Sequence, residues 1–190
     1  MTWHRTTGCL WTSRGTGLQG LVNLAYQYDS KLEKFFVDTL QVTRLTASLV
    51  YDELLTLTPG NTTLEHVKQQ LISFSSLLDD ETTLQPDRLL ERHILPVRYP
   101  DGQVKLLSAR AEFTIMDREG PMGQFRDMVK TLDFTMEEAH DLDTFIKWAG
   151  LASRYLSRMV REVQDLGAGA SFRVEEPRYD VGRKAHGILR

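Results

Sequence analysis

One cysteine, Cys9, stands among the 190 residues of the chain. It can form no intramolecular disulfide and cannot build a cysteine-based zinc site, so a reducing compartment, cytoplasmic or nuclear, is expected. Long apolar runs are missing as well: none approaches the roughly 18 consecutive residues that a membrane-spanning helix needs. The opening residues Met1-Thr2-Trp3-His4-Arg5 and those after them hold no apolar stretch of signal-peptide length. Secretion is therefore not expected, and the sequon Asn61-Thr62-Thr63 reads as a chance match. Excess charge of one sign is also lacking. With 23 Lys and Arg against 26 Asp and Glu, the formal net charge is −3. That balance supplies no global field for nucleic acid or for an anionic membrane, so neither is the expected partner.

What is present suits a folded domain, because the hydrophobic fraction of 41% and charged fraction of 26% lie near globular averages. Residues 1–20 are interrupted by Gly8, Gly15, Gly17 and Gly20 and read as irregular. From Leu32 to Leu40, Leu32, Phe35, Phe36, Thr39 and Leu40 recur at the spacing of a short helix. A second helix is expected over Thr46–Leu57 with Thr46 as N-cap, ended by Pro59-Gly60-Asn61. A third opens at Thr62 or Thr63 and buries Leu64, Val67, Leu71, Phe74, Leu77 and Leu78. Pro86 suits the first turn of a fourth, which runs toward His93. The period then changes. Ile94–Tyr99 and Gln103–Leu107 flank Pro100-Asp101-Gly102, a hairpin signal, with further strands expected at Phe113–Met116 and Met128–Phe134. Thr135-Met136-Glu137-Glu138 has capping-box spacing, Gly150 is placed to end the helix that follows, and a last helix carries Leu151, Tyr155, Leu156, Met159, Val160 and Val163. The expected fold is α+β and mostly helical, with N-terminal helices and a C-terminal helical hairpin around a small antiparallel sheet. One globular domain is expected over 21–166, with a flexible tail from 167 to 190.

The motifs that could carry chemistry are incomplete. Gly15, Gly17 and Gly20 satisfy G-x-G-x-x-G, in which backbone amides approach a phosphate, but the run before them is short and broken by Thr12, Ser13 and Arg14, and no βαβ unit with a second parallel strand follows. Glu137 and His140 have the i, i+3 spacing of one half of a carboxylate-bridged di-metal site, whose second half is missing. The capping box already accounts for the Glu137-Glu138 pair. Asp117 and Glu119 beside Arg118 read as a solvated turn, and Arg154, Arg158 and Arg161 as a mixed-charge face opposite an apolar stripe. No cofactor is called for and no catalytic residue is assigned.

Phe35-Phe36-Val37-Asp38-Thr39-Leu40, Val50-Tyr51-Asp52-Glu53-Leu54-Leu55, Leu95-Pro96-Val97-Arg98-Tyr99-Pro100-Asp101-Gly102, Lys130-Thr131-Leu132-Asp133-Phe134-Thr135 and Trp148-Ala149-Gly150-Leu151 with Arg154-Tyr155-Leu156-Ser157 follow one another in order. Together they resemble an internal stretch of very large fungal proteins that carry an N-terminal histidine-kinase-like ATPase domain of the sacsin and NO VEIN type. The resemblance spans residues 9–163. It implies a truncated relative of such a protein or a fragment of one, and it implies no ATPase here, since no counterpart of the nucleotide lid is found. The expected function is that of a non-catalytic accessory or protein-interaction module with a protein partner. The alternative is an accessory protein or small enzyme of a fungal secondary-metabolite cluster.

Overall fold

A computed structural model describes residues 4–13, 17–58, 60–79, 83–117 and 128–159. The described chain is a mixed α+β fold, mostly helical, with two small three-stranded sheets. None of its helices is long and apolar enough to cross a membrane.

Cys9–Trp11 (β1) is fully buried and forms the centre of a parallel sheet between Val22–Asn23 (β2) and Thr43–Arg44 (β3). A central strand thus lies within the stretch whose glycines suggest irregular chain. Three apolar residues are too few for a strand period to register. The buried amide of Asn23 ties β2 to the end of β1: its Nδ2 donates to the Thr12 carbonyl at 3.1 Å, and its Oδ1 accepts from Thr12 N at 3.3 Å. Parallel strands require long crossovers, and the one from β2 to β3 winds through 3₁₀ turns at Leu24–Tyr26 and Ser30–Leu32 and a π-helix at Phe35–Thr39.

That π-helix replaces the expected α-helical stripe. Leu40 N donates to the Phe35 carbonyl at 3.1 Å, an i→i+5 bond. The wider turn changes which residues share a face. Phe36 and Val37 pack on a small core of Cys9, Trp11, Leu24 and Val42, while Leu32, Phe35 and Leu40 remain exposed.

The larger core begins at Ala47–Thr56 (α1). Thr46 caps α1 by accepting from Leu49 N at 3.4 Å, and Val50, Tyr51 and Leu54 turn inward. Leu64–Leu77 (α2) is capped by Thr63, which accepts from His66 N at 3.2 Å. It buries Val67, Leu71 and Phe74, and also Gln70, Ser73 and Ser75, because neighbours close on it from more than one side. Pro86–Leu90 (α3) follows and stops short of His93. The hairpin forms as read: Leu95–Arg98 (β4) pairs antiparallel with Val104–Leu107 (β5), Leu95 opposite Leu107 and Arg98 opposite Val104. Gly102 makes the turn at φ 84°, a left-handed conformation that favours glycine.

Beyond the hairpin the sheet is shorter than its apolar runs suggest. Thr131–Leu132 (β6) adds to the other edge of β4, whereas Thr114 and Ile115 make only single bridges, to Thr131 and Tyr155. Met136–Asp141 (α4) carries the complete capping box, Thr135 N donating to Glu138 at 2.8 Å and Glu138 N to Thr135 Oγ1 at 3.2 Å. Asp143–Trp148 (α5) continues it after a break at Leu142. Ser75 of α2 fits that break: its hydroxyl donates to the Asp141 carbonyl at 2.6 Å and accepts from Phe145 N at 3.2 Å. Past α5, Gly150 at φ 67° donates to Lys147 O and Leu151 donates to Ile146 O, closing a Schellman motif over the buried Leu151. The last helix is not continuous. A 3₁₀ turn at Ala152–Arg154 gives way to Tyr155 in extended conformation, because its neighbours bridge to Ile115, before Leu156–Met159 (α6). The expected positions Val160 and Val163, and the tail 167–190, lie outside the described residues.

One polar network crosses the larger core. Asp133 is buried just past β6 and receives Lys68 Nζ of α2 at 2.7 Å on one oxygen, and Arg98 Nε and Nη2 of β4 at 2.7 and 2.6 Å on the other. Burial pushes its carboxyl up, but the bonds from Lys68 and Arg98 outweigh this and hold it below the usual carboxylate value.

Candidate functional site

Three surfaces bear on function, and the glycine pattern belongs to the first. Gly15 lies outside the described residues, while Gly17–Gly20 forms a turn laid across α1 and α2. Gln70 Nε2 donates to the Gly17 carbonyl at 2.9 Å, and Gln19 N donates to Glu53 Oε1 at 2.9 Å. The turn is held by side chains from the helix pair, and Gly20 adopts φ 82° to make it. A Cβ on Gly17 would sit 3.7 Å from that of Asn23, in ordinary contact. Close packing therefore does not demand glycine there. No helix of any length opens after Gly20 to present amides to a phosphate: the chain passes directly into β2.

The second surface is a cleft of about 560 Å³ where α4, α5 and α6 meet the segment ending at Asp117, lined by Asp117, His140, Asp143, Tyr155, Ser157 and Arg158. The chain separations here leave no local signal, so the gathering is invisible to motif reading. Asp117 accepts from Ser157 N at 3.1 Å and from the Ser157 hydroxyl, satisfying an amide at the start of α6. Tyr155 donates its hydroxyl to Asp143 Oδ1 at 2.9 Å, and Lys147 Nζ sits 2.5 Å from Asp143 Oδ2. The Lys147 bond holds the Asp143 carboxyl low against partial burial, with help from the tyrosine and His140. Burial, then the bond to Asp143, pushes the Tyr155 phenol far above its usual value. These shifts lock each group in its ordinary charge state at neutral pH. The seryl hydroxyl is engaged by a carboxylate and not by an imidazole, so it lacks the base that would activate it. Glu137 and His140 are exposed on α4, and among the described residues no three His, Cys, Asp or Glu side chains converge as metal ligands. Glu119, Arg118 and Arg161 lie outside the described residues.

Arg154 is not part of a solvated face. Its guanidinium donates to the carbonyls of Ala111 and Ala109 at 2.6 and 2.5 Å and stacks over Phe113 at 4.4 Å. Burial draws its pKa down, against the attraction of Glu112. The planar fork holds the segment after β5 against the C-terminal helices.

The third surface is apolar. Tyr26 is 73% exposed, Phe35 48%, Tyr28 44%, Leu32 42% and Leu40 37%, all in the crossover between β2 and β3. The rings are braced from beneath: Phe36 stacks on Trp11 at 5.5 Å and touches Tyr28 at 4.7 Å and Phe35 at 5.5 Å. Next to them Gln41 takes φ 55°, the one non-glycine described residue with positive φ, and its amide donates to the Asp38 carbonyl at 2.7 Å. A π-helix and a left-handed residue side by side are features that cluster at functional positions. The helical reading of 32–40 put Leu32, Phe35, Phe36, Thr39 and Leu40 on one face, whereas the π-helix packs Phe36 on the small core and leaves Leu32, Phe35 and Leu40 exposed.

A family model described as a domain of unknown function (DUF8348) matches residues 48–160, more than half of the chain and nearly all of the larger core. No curated protein and no solved structure matches it.

Proposed function

The chain belongs to the DUF8348 family of domains of unknown function, and on that premise we propose that it is a non-catalytic protein-interaction module. The carrying observation is the aromatic face of Tyr26, Tyr28, Leu32, Phe35 and Leu40, exposed in so short a stretch of chain. Large apolar side chains exposed together in one stretch of chain mark contact surfaces, and tyrosine and phenylalanine supply large contact area at small cost in side-chain entropy. The occupant is a segment of another protein with its own apolar face. A net charge of −3 gives nucleic acid no general attraction, and the buried Cys9 thiol suits a reducing compartment.

The polar cleft supports the same reading from the other side, since its carboxylates and hydroxyls are spent on fastening α6 and the Ile115 segment. The resemblance to an internal stretch of larger proteins also fits a module that works beside other domains. The test is a comparison of proteins cross-linked to the wild-type chain in extracts with those cross-linked to Tyr26→Ser/Phe35→Ser and to His140→Gln. A partner retained by wild type and His140→Gln but lost by the double variant is expected. Equal recovery by all three removes the aromatic face as the docking site, and a wild-type chain that instead dimerises through that face in sedimentation makes the occupant a second copy.

A further inference from the structure

Beneath the Gly17–Gly20 turn, three buried polar atoms have no hydrogen-bond partner among the described residues: Glu53 Oε2, His66 Nε2 and Gln70 Oε1. Such atoms are rare in folded proteins because each forfeits its bonds to water, so a cluster of them points to something that satisfies them together. Their placement is specific. His66 and Gln70 are one helical turn apart and share a face of α2, while Glu53 meets them from α1. The side chains of Glu53 and His66 are 11% and 28% exposed, and Gln70 is 0% exposed.

The contacts made by the other atoms of these side chains orient the unpaired ones. Gln70 Nε2 is fixed on the Gly17 carbonyl, which commits Oε1 to the opposite side of the amide. Glu53 Oε1 accepts from Gln19 N, which leaves Oε2 as the unshared oxygen. His66 Nε2 lies 3.5 Å from Glu53 Oε1 without forming a hydrogen bond. That spacing sets the imidazole nitrogen beside the carboxylate whose second oxygen, Oε2, is unpartnered. A carboxylate oxygen, an imidazole nitrogen and an amide oxygen form a donor set suited to borderline divalent metals, and the carboxylate offsets part of the cation's charge.

From this juxtaposition we infer that Glu53, His66 and Gln70 form a binding site for a divalent transition-metal ion, with the Gly17–Gly20 turn as the outer layer that aims two of its ligands. Outer-layer bonds of this kind normally orient the first ligands of a metal site. The site shares no residue with the aromatic face or the polar cleft, and it does not depend on the interaction reading. With only three protein donors, the remaining positions fall to water, so the ion is exchangeable.

The untagged full chain titrated with Co²⁺ and followed by its visible absorption tests this, with Zn²⁺ competition as a second readout. One ion per chain is expected, with affinity at least about tenfold lower in Glu53→Gln and in His66→Gln. Glu137→Gln/His140→Gln should match wild type. Glu53→Gln keeps an acceptor for Gln19 N, so its far-UV circular dichroism should match that of wild type and exclude misfolding as the cause. The inference is overturned if the folded chain binds no Co²⁺ or Zn²⁺ at millimolar metal, which would leave water as the occupant. Binding that survives both single variants, or that is lost in the Glu137/His140 variant, overturns it equally.

Discussion

The two regions of this molecule treat their aromatic residues in opposite ways. In residues 47–159 the rings face one another inside: Phe74 meets Trp148 at 5.2 Å, Tyr51 at 6.0 Å and Phe145 at 6.2 Å, with Phe74 and Phe145 at 0% and 1% exposure. In residues 4–46 the rings are graded outward: Trp11 is buried, Phe36 stacked on it is half-buried, and Tyr28 and Phe35 against Phe36 are exposed. The larger region has enough surface to enclose Phe74 and Phe145, although Leu64, Met128 and Met159 stay exposed. The smaller has a sheet with strands of two and three residues, and among the described residues its core of Cys9, Trp11, Leu24 and Val42 supplies no second layer over the crossover. The family match covers the region whose rings face inward and not the one whose rings face outward. We read the first as the scaffold and the second as the contact surface it carries, joined by the Gln70–Gly17 and Glu53–Gln19 bonds and by Leu45 N donating to Trp11 O at 3.1 Å.

The sharpest way to break this contrast is Phe74→Ala. Removing a fully buried ring that touches three others should cost about 3–5 kcal/mol of global stability, read as a lower urea midpoint for the whole chain. Trp11→Ala should cost about 3 kcal/mol but locally. Amide exchange should accelerate across residues 9–44 and stay unchanged across α2. Equal acceleration in both would make the regions one cooperative unit and remove the distinction.

A smaller effect tests the scaffold's electrostatics. Asp133→Asn leaves Lys68 and Arg98 without their counter-charge and should cost about 2 kcal/mol, less than a wholly enclosed pair because Arg98 is partly exposed. The carboxyl of Asp133 is held below its unfolded value of about 3.9, so the wild-type advantage is fully present above that pH and is lost as pH falls through the lowered value. The stability gap between wild type and variant should therefore narrow in acid, as measured by urea unfolding from pH 7 downward. The smallest effect belongs to the exposed rings of the crossover. Tyr26→Ser and Phe35→Ser should each change stability by less than about 0.5 kcal/mol in thermal unfolding, as exposed positions do. A loss as large as that from Trp11→Ala would show those rings to be core.

Much of the larger region was legible because its signals are local. Thr46, Thr63, the Thr135–Glu138 box, Pro86 at a first turn, Asp101-Gly102 in the hairpin and Gly150 after α5 all act on backbone groups within a few residues of themselves. The crossover of residues 24–42 was not legible. Its apolar spacing fits an α-helix, and only the packing of Phe36 and Val37 on Trp11 and Val42 selects the π-turn. Arg154 was misread for a related reason: a basic residue in a helical pattern looks solvated until the carbonyls of Ala109 and Ala111, 45 and 43 positions away, are seen to receive it.

By itself the sequence determined the helix caps, the hairpin turn, the mostly helical α+β class and the lack of an apolar run long enough to cross a membrane. Each of these depends on composition or on neighbours along the chain. Tertiary structure alone decided which polar groups meet, because Gly17 and Gln70 are 53 positions apart, Gln19 and Glu53 34, and Ser75 and Asp141 66. It also decided which rings stay outside, since exposure follows from how much surface the rest of the fold can bring to cover them, and no periodicity along a strand or helix records that amount.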